Sequence, residues 1–178
     1  MDADDIGPGD LFTLAPRGET EPCDIAAALV DAEDDFAHLR EGEAVILFLM
    51  RVSVKEKAQK RVLGEMCLPR FQGSLGPVGT WLLAKACGEI PDFIMILDQE
   101  FWTQATPHQR KALVHHELLH AAHATDKAGD LRFTDDGRPI WALRAHDIEE
   151  FDAVVARYGA WLPDVQKFAN ALRDGGVV

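Results

Sequence analysis

Thr106-Pro107-His108-Gln109-Arg110-Lys111-Ala112-Leu113-Val114-His115-His116-Glu117-Leu118-Leu119-His120 is the stretch from which the rest of the chain can be read. Its opening carries three helix-start signals together: Thr106 suits the N-cap, Pro107 the first helical position, and Gln109 completes a capping box. These signals predict a helix over 107–125. Inside it, His116-Glu117-Leu118-Leu119-His120 is an H-E-x-x-H pattern. Residues four apart stack on one helix face about a turn apart, so both imidazoles can reach one tetrahedral ion. Glu117 lies beside them on the wheel, placed to take a proton from a water at that ion. Two ligands from the helix require a third from elsewhere and leave a fourth position open, the mark of a catalytic rather than a structural site.

Downstream, Arg144-Ala145-His146-Asp147-Ile148-Glu149-Glu150-Phe151 offers candidates for that third ligand. Asp147 with Glu150 reads as a second capping box, and the helix it opens would bury Ile148, Phe151, Val154, Val155 and Tyr158. His146 would then sit just outside the helix and is favoured as the ligand, with Glu149 and Glu150 as the alternatives. His123 partly shares the face of His120 on the expected helix and is a further alternative as ligand, with packing around the ligands the favoured reading. Between these segments, Leu131–Thr134 and Arg138–Leu143 flank Asp135-Asp136-Gly137, turn chemistry for a hairpin that leads back to His146. Tyr158 and Arg138 are candidates to help stabilise an oxyanion, against core packing or solvent exposure for each.

Upstream, Ile25, Leu29, Ala32, Phe36 and Leu39 recur at helical steps from Asp24, with Gly42 as the stop. Ala44–Val52 is a continuous apolar run of strand length, Arg61–Leu68 a weaker strand, and Phe93–Leu97 a third, ended by Asp98. Gly73–Gly79 reads as a loop whose glycine spacing fits no nucleotide motif, and Trp81–Cys87 as a short helix.

The 178 residues are 47% hydrophobic and 27% charged, a globular mix that supports a real core and excludes wholesale disorder. Eighteen basic and 30 acidic side chains give a net charge of −12, which weighs against a chain that works by neutralising phosphates. The charge is concentrated: residues 1–43 hold 13 acids and 2 bases, leaving 17 acids and 16 bases for 44–178. Residues 1–22, rich in Asp, Gly, Pro and Glu, are expected to be an acidic flexible arm, with one domain over 23–178. Arg51, Lys55, Lys57, Lys60, Arg61 and Arg70 face only Glu56 and Glu65, a positive excess expected of a solvated loop. The acidic start lacks the pattern of a signal peptide, and no apolar run approaches the roughly 20 residues of a membrane span. Three widely spaced cysteines fit a reducing compartment, so a soluble, cytoplasmic protein is expected.

At this point the residues resemble a known family. The series Asp92-Phe93-Ile94, Phe101-Trp102, His116-Glu117-Leu118-Leu119-His120, Asp136-Gly137, His146-Asp147-Ile148-Glu149-Glu150-Phe151 and Arg157-Tyr158-Gly159-Ala160-Trp161 is similar to the phage metallopeptidase family of phages and prophages, a minimal zincin akin to the SprT-like proteases. The resemblance covers about residues 24 to 161. It implies His116, His120 and His146 as ligands of one Zn²⁺ and Glu117 as the catalytic base. The expected fold is α+β, a minimal zincin-like domain with a small sheet packed on the H-E-x-x-H helix. The expected function is zinc-dependent hydrolysis of peptide bonds in a protein or peptide substrate. The alternatives are a non-catalytic, metal-stabilised interaction protein and, from the basic excess between Arg51 and Arg70, a DNA-associated protease.

Overall fold

The computed structural model describes residues 11–148, 155, 159–160 and 162–176. In chain order the elements are β1 (Phe12–Leu14), α1 (Pro22–Ala32), a 3₁₀ turn (Asp34–Phe36), α2 (Ala37–Glu41), β2 (Ile46–Arg51), β3 (Glu56–Lys57) and β4 (Lys60–Arg61). They continue with β5 (Gly64–Cys67), α3 (Gly76–Cys87), β6 (Phe93–Asp98), α4 (Gln99–Gln104), α5 (Pro107–His120), β7 (Ala121–His123), β8 (Trp141–Leu143) and α6 (Pro163–Asp174). The fold is α+β, as the sequence leads one to expect. One compact unit runs to Arg144 and a second begins at Ala145. Within the second unit the helix α6 is described, and its Val165 is buried.

The first unit is built on a four-stranded sheet in the order β1-β2-β6-β5. β6 lies inside it, parallel to β2 from Ile46↔Phe93 to Arg51↔Asp98 and antiparallel to β5 from Gly64↔Leu97 to Cys67↔Ile94. Alternate residues of a strand share a face, so Ile46, Phe48 and Met50 of β2 stand with Phe93, Met95 and Leu97 of β6 and Met66 of β5. That face carries the core. Phe93, Met95 and Leu97 are completely buried, and they meet Leu29 of α1, Phe36, Leu39 of α2 and Val114 and Leu118 of α5. Burying each such side chain contributes about 1.5–3 kcal/mol before entropy is counted.

Four sequence expectations need correcting. Residues 12–14 are not part of a free arm: Phe12, Thr13 and Leu14 pair antiparallel with Arg51, Met50 and Leu49, and edge pairing stands in for the apolar period the segment lacks. The helix begun near Asp24 breaks at Glu33, whose backbone is extended, and restarts through a 3₁₀ turn carrying Asp34 and Asp35 in its first turn. The supposed loop 73–79 is already helical from Gly76, with Pro77 in the first turn, where its missing N–H costs nothing. Finally, α5 ends at His120, because Ala121 turns extended and β7 pairs with β8 through Ala121↔Leu143 and His123↔Trp141. The 131–143 hairpin itself forms as expected, closing at Gly137 with φ of 80°.

Candidate metal centre

Helix α5 is set in place at both ends. Its first turn has the expected capping box: Thr106 Oγ1 accepts from the Gln109 N–H at 3.3 Å, and Gln109 Oε1 accepts from the Thr106 N–H at 2.9 Å. In its last turns Val114 and Leu118 enter the core, which turns His116, Glu117 and His120 toward the β5 side and the chain's return at Arg144. The His116 and His120 rings stand 5.1 Å apart at 79°. His120 Nδ1 lies 2.7 Å from the Arg144 carbonyl oxygen, and the Arg144 N–H donates back to the His120 carbonyl at 2.8 Å. A carbonyl only accepts, so Nδ1 carries the proton and Nε2 keeps its lone pair for an ion. His146 follows two residues after this anchored position. His116 and His120 of this unit each offer one ring nitrogen to a metal ion.

Glu117 sits in the wall behind the two imidazoles, only 3% exposed. Burial pushes its carboxyl up to about 7, the charge of Glu65 adds to this, and the Met66 backbone N–H opposes it by donating to the carboxylate. Its Oε2 has no hydrogen-bond partner among the described residues. The space it occupies exists because residue 64 is glycine: a Cβ there would come within 2.8 Å of Glu117 Cδ. Beside it opens a cleft of about 500 Å³, lined by Leu63, Gly64, Phe101, Leu113, His116 and Glu117 among others. Two imidazoles one helical turn apart, one with its tautomer fixed, are donors that suit a metal ion, and a buried carboxylate with one oxygen unpartnered stands beside them.

The remaining expected residues fall as follows. His123 lies on β7 rather than on the helix, because α5 has already ended; its Nε2 meets the Arg132 carbonyl at 2.8 Å and its ring packs on Phe133 and Trp141. His38 meets the Ala121 carbonyl at 2.9 Å, and His115 packs edge-on against Phe36. Arg138 is 78% exposed and holds Asp136 in the hairpin turn, which removes it as an oxyanion candidate. Glu149, Glu150 and Tyr158, and the helix expected from Asp147, lie outside the described residues. Sequence reasoning missed Gly64, Glu65 and Met66, which shape the seat of Glu117, and His108, which lines the cleft. A glycine inside a strand was the available signal, since it often marks a close approach.

No curated protein and no solved structure matches the chain. A family model does: the one described as "Putative phage metallopeptidase" matches residues 17–173, the greater part of the chain, enclosing α5, the hairpin and His146. As that match takes in far more than half of its length, the chain belongs to this family of phage metallopeptidases.

Proposed function

We propose that the protein is a zinc-dependent endopeptidase in which His116, His120 and His146 hold the ion and Glu117 is the general base. The observation that carries this reading is Glu117 itself. A carboxylate buried with one oxygen unpaired, beside two imidazoles on the same helix, is costly for a structural role and suited to proton transfer near neutral pH. When bound, zinc would supply Lewis acidity, lowering the pKa of a water toward about 7 and polarising the substrate carbonyl. Glu117 takes the proton from the attacking water and later delivers it to the leaving amine. The Met66 N–H and the absence of a side chain at Gly64 keep its carboxylate in one position through both transfers.

Substrate geometry follows from the sheet. β5 is the last strand of the order β1-β2-β6-β5, and its Leu63–Gly64 end lines the cleft next to Glu117. An extended peptide laid along that edge brings a carbonyl past the carboxylate, with the apolar walls of Leu63, Phe101 and Leu113 receiving side chains. A cytoplasmic location in a phage-infected or lysogenic cell accords with the family; among the described residues no helix is long and apolar enough to cross a membrane. The test is metal analysis with chelation: about one zinc per chain is expected, activity on an unstructured protein lost to a chelator and restored by stoichiometric zinc, and zinc lost in His146→Ala. Zinc retained in His146→Ala and lost in Glu149→Ala would overturn the ligand assignment, and cleavage indifferent to chelation would overturn the mechanism.

A further inference from the structure

Hairpin β3–β4 plays no part in the proposed chemistry, yet its construction is unfavourable on two counts. Its register sets Lys57 directly opposite Lys60, and the Val62 N–H continues the ladder to the Lys55 carbonyl at 2.9 Å. Directly opposed residues stand on one face of a hairpin, where like charges repel. The two residues that join them, Ala58 at φ 49° and Gln59 at φ 63°, form a left-handed turn that glycine or asparagine ordinarily supplies. Ion pairs at the base hold the arrangement: Lys55 binds Glu65 at 2.6 Å, and Arg61 binds Asp98 and Glu100. Lys57 and Lys60 are exposed and have no ion pair among the described residues. The result is two neighbouring ammonium groups that the fold presents and does not neutralise.

Their position ties them to the cleft. Lys60 stands two residues before Val62, the first of three consecutive residues, Val62, Leu63 and Gly64, that line the cleft. Two residues span at most about 7 Å of chain, so the Lys60 backbone lies no farther than that from Val62. The pair, joined by the Lys57↔Lys60 register, therefore lies close to the Val62 side of the cleft.

We propose that Lys57 and Lys60 form a specificity element that binds an acidic side chain of the peptide substrate a few residues from the scissile bond. This rests on the peptidase reading above. Exposed ion pairs are individually weak and screened by salt, so the two together change KM about 5- to 10-fold at low salt. They leave kcat nearly untouched, because the contact is equally good in ground and transition states.

Three otherwise identical unstructured peptides carrying a Glu-Glu, Gln-Gln or Lys-Lys flank test this, cleaved by the wild type and by the Lys57→Glu, Lys60→Glu double variant at low and high salt. The acidic peptide should have the lowest KM with the wild type, the order should invert in the variant, and the Gln-Gln peptide should be cleaved equally by both. An order that charge reversal leaves unchanged would overturn the proposal. Fluorescence anisotropy of the same peptides on zinc-loaded protein separates the two readings. If nothing is cleaved but the wild type binds the acidic peptide better and charge reversal removes the preference, the peptidase reading fails and the recognition stands. Equal binding of all three peptides overturns the recognition. A single-stranded oligonucleotide of matched charge is included: tighter binding to it, lost on charge reversal, overturns the acidic peptide in favour of a nucleic-acid partner.

Discussion

Gly64 and Glu117 divide one small volume between them, and neither residue type is free to change. A Cβ at residue 64 would lie 2.8 Å from Glu117 Cδ and 2.9 Å from Cγ, so the carboxylate would have to move. Gly64→Ala should therefore lower kcat/KM about 100-fold, since general-base transfer depends on a correctly placed carboxylate, while zinc content stays at the wild-type value. Kinetics paired with metal analysis reads both, and full activity in the variant would show that Glu117 does not depend on this seat. The H-E-x-x-H residues were legible from their spacing alone, because that geometry lies within one helix. The seat was not: residues 64 and 117 meet only because β5 packs beside α5, and nothing local in either segment announces the other.

At the scale of elements, local signals were reliable where a start was encoded and weak where an end depended on tertiary pairing. The capping box at Thr106 formed as read, and Thr106→Ala should cost about 1 kcal/mol, lowering the thermal midpoint by a few degrees with activity preserved below it. An unchanged midpoint would mean that packing alone positions α5. Its end was misread because Ala121 and Ala122 favour a helix in isolation. Pairing with Ala142 and Leu143 draws them into a strand, and Ala121 and Trp141 join the core. That early end is what carries His123 away from the ligand face and lets Arg144 return to His120. β1 was invisible for a related reason: three residues are too few for a period, and its partner lies in β2.

Across the whole molecule, charge is organised differently from what its run along the sequence suggests. The basic excess between Arg51 and Arg70 reads as a solvated loop, yet Arg51 is 4% exposed and binds Glu65 at 2.8 Å. Arg51 and Arg61 converge on the buried Asp98, which also caps α4 through the Phe101 N–H at 2.9 Å. Burial alone would raise the Asp98 carboxyl, but hydrogen bonds from Arg61 and Phe101 and the charges of Arg61 and Arg51 hold it below the usual carboxylate range. The folded state thus binds fewer protons here than the unfolded chain. Its stabilisation is complete above the ordinary range and is lost as pH falls through the lowered value, below about pH 4. Asp98→Asn should destabilise the protein by about 3 kcal/mol at neutral pH and flatten the acid limb of its stability curve. Denaturant titrations at several pH values measure both, and an acid limb as steep as the wild type's would remove Asp98 from that account. The central claim, that a metal held by the histidines of this fold works with Glu117 to cleave peptide bonds, is tested most directly by the specific activity of wild type and Glu117→Gln on an unstructured protein, each at measured zinc occupancy. The account predicts equal occupancy near one and a loss of activity of at least about 100-fold in the variant; equal activity at equal occupancy would contradict it.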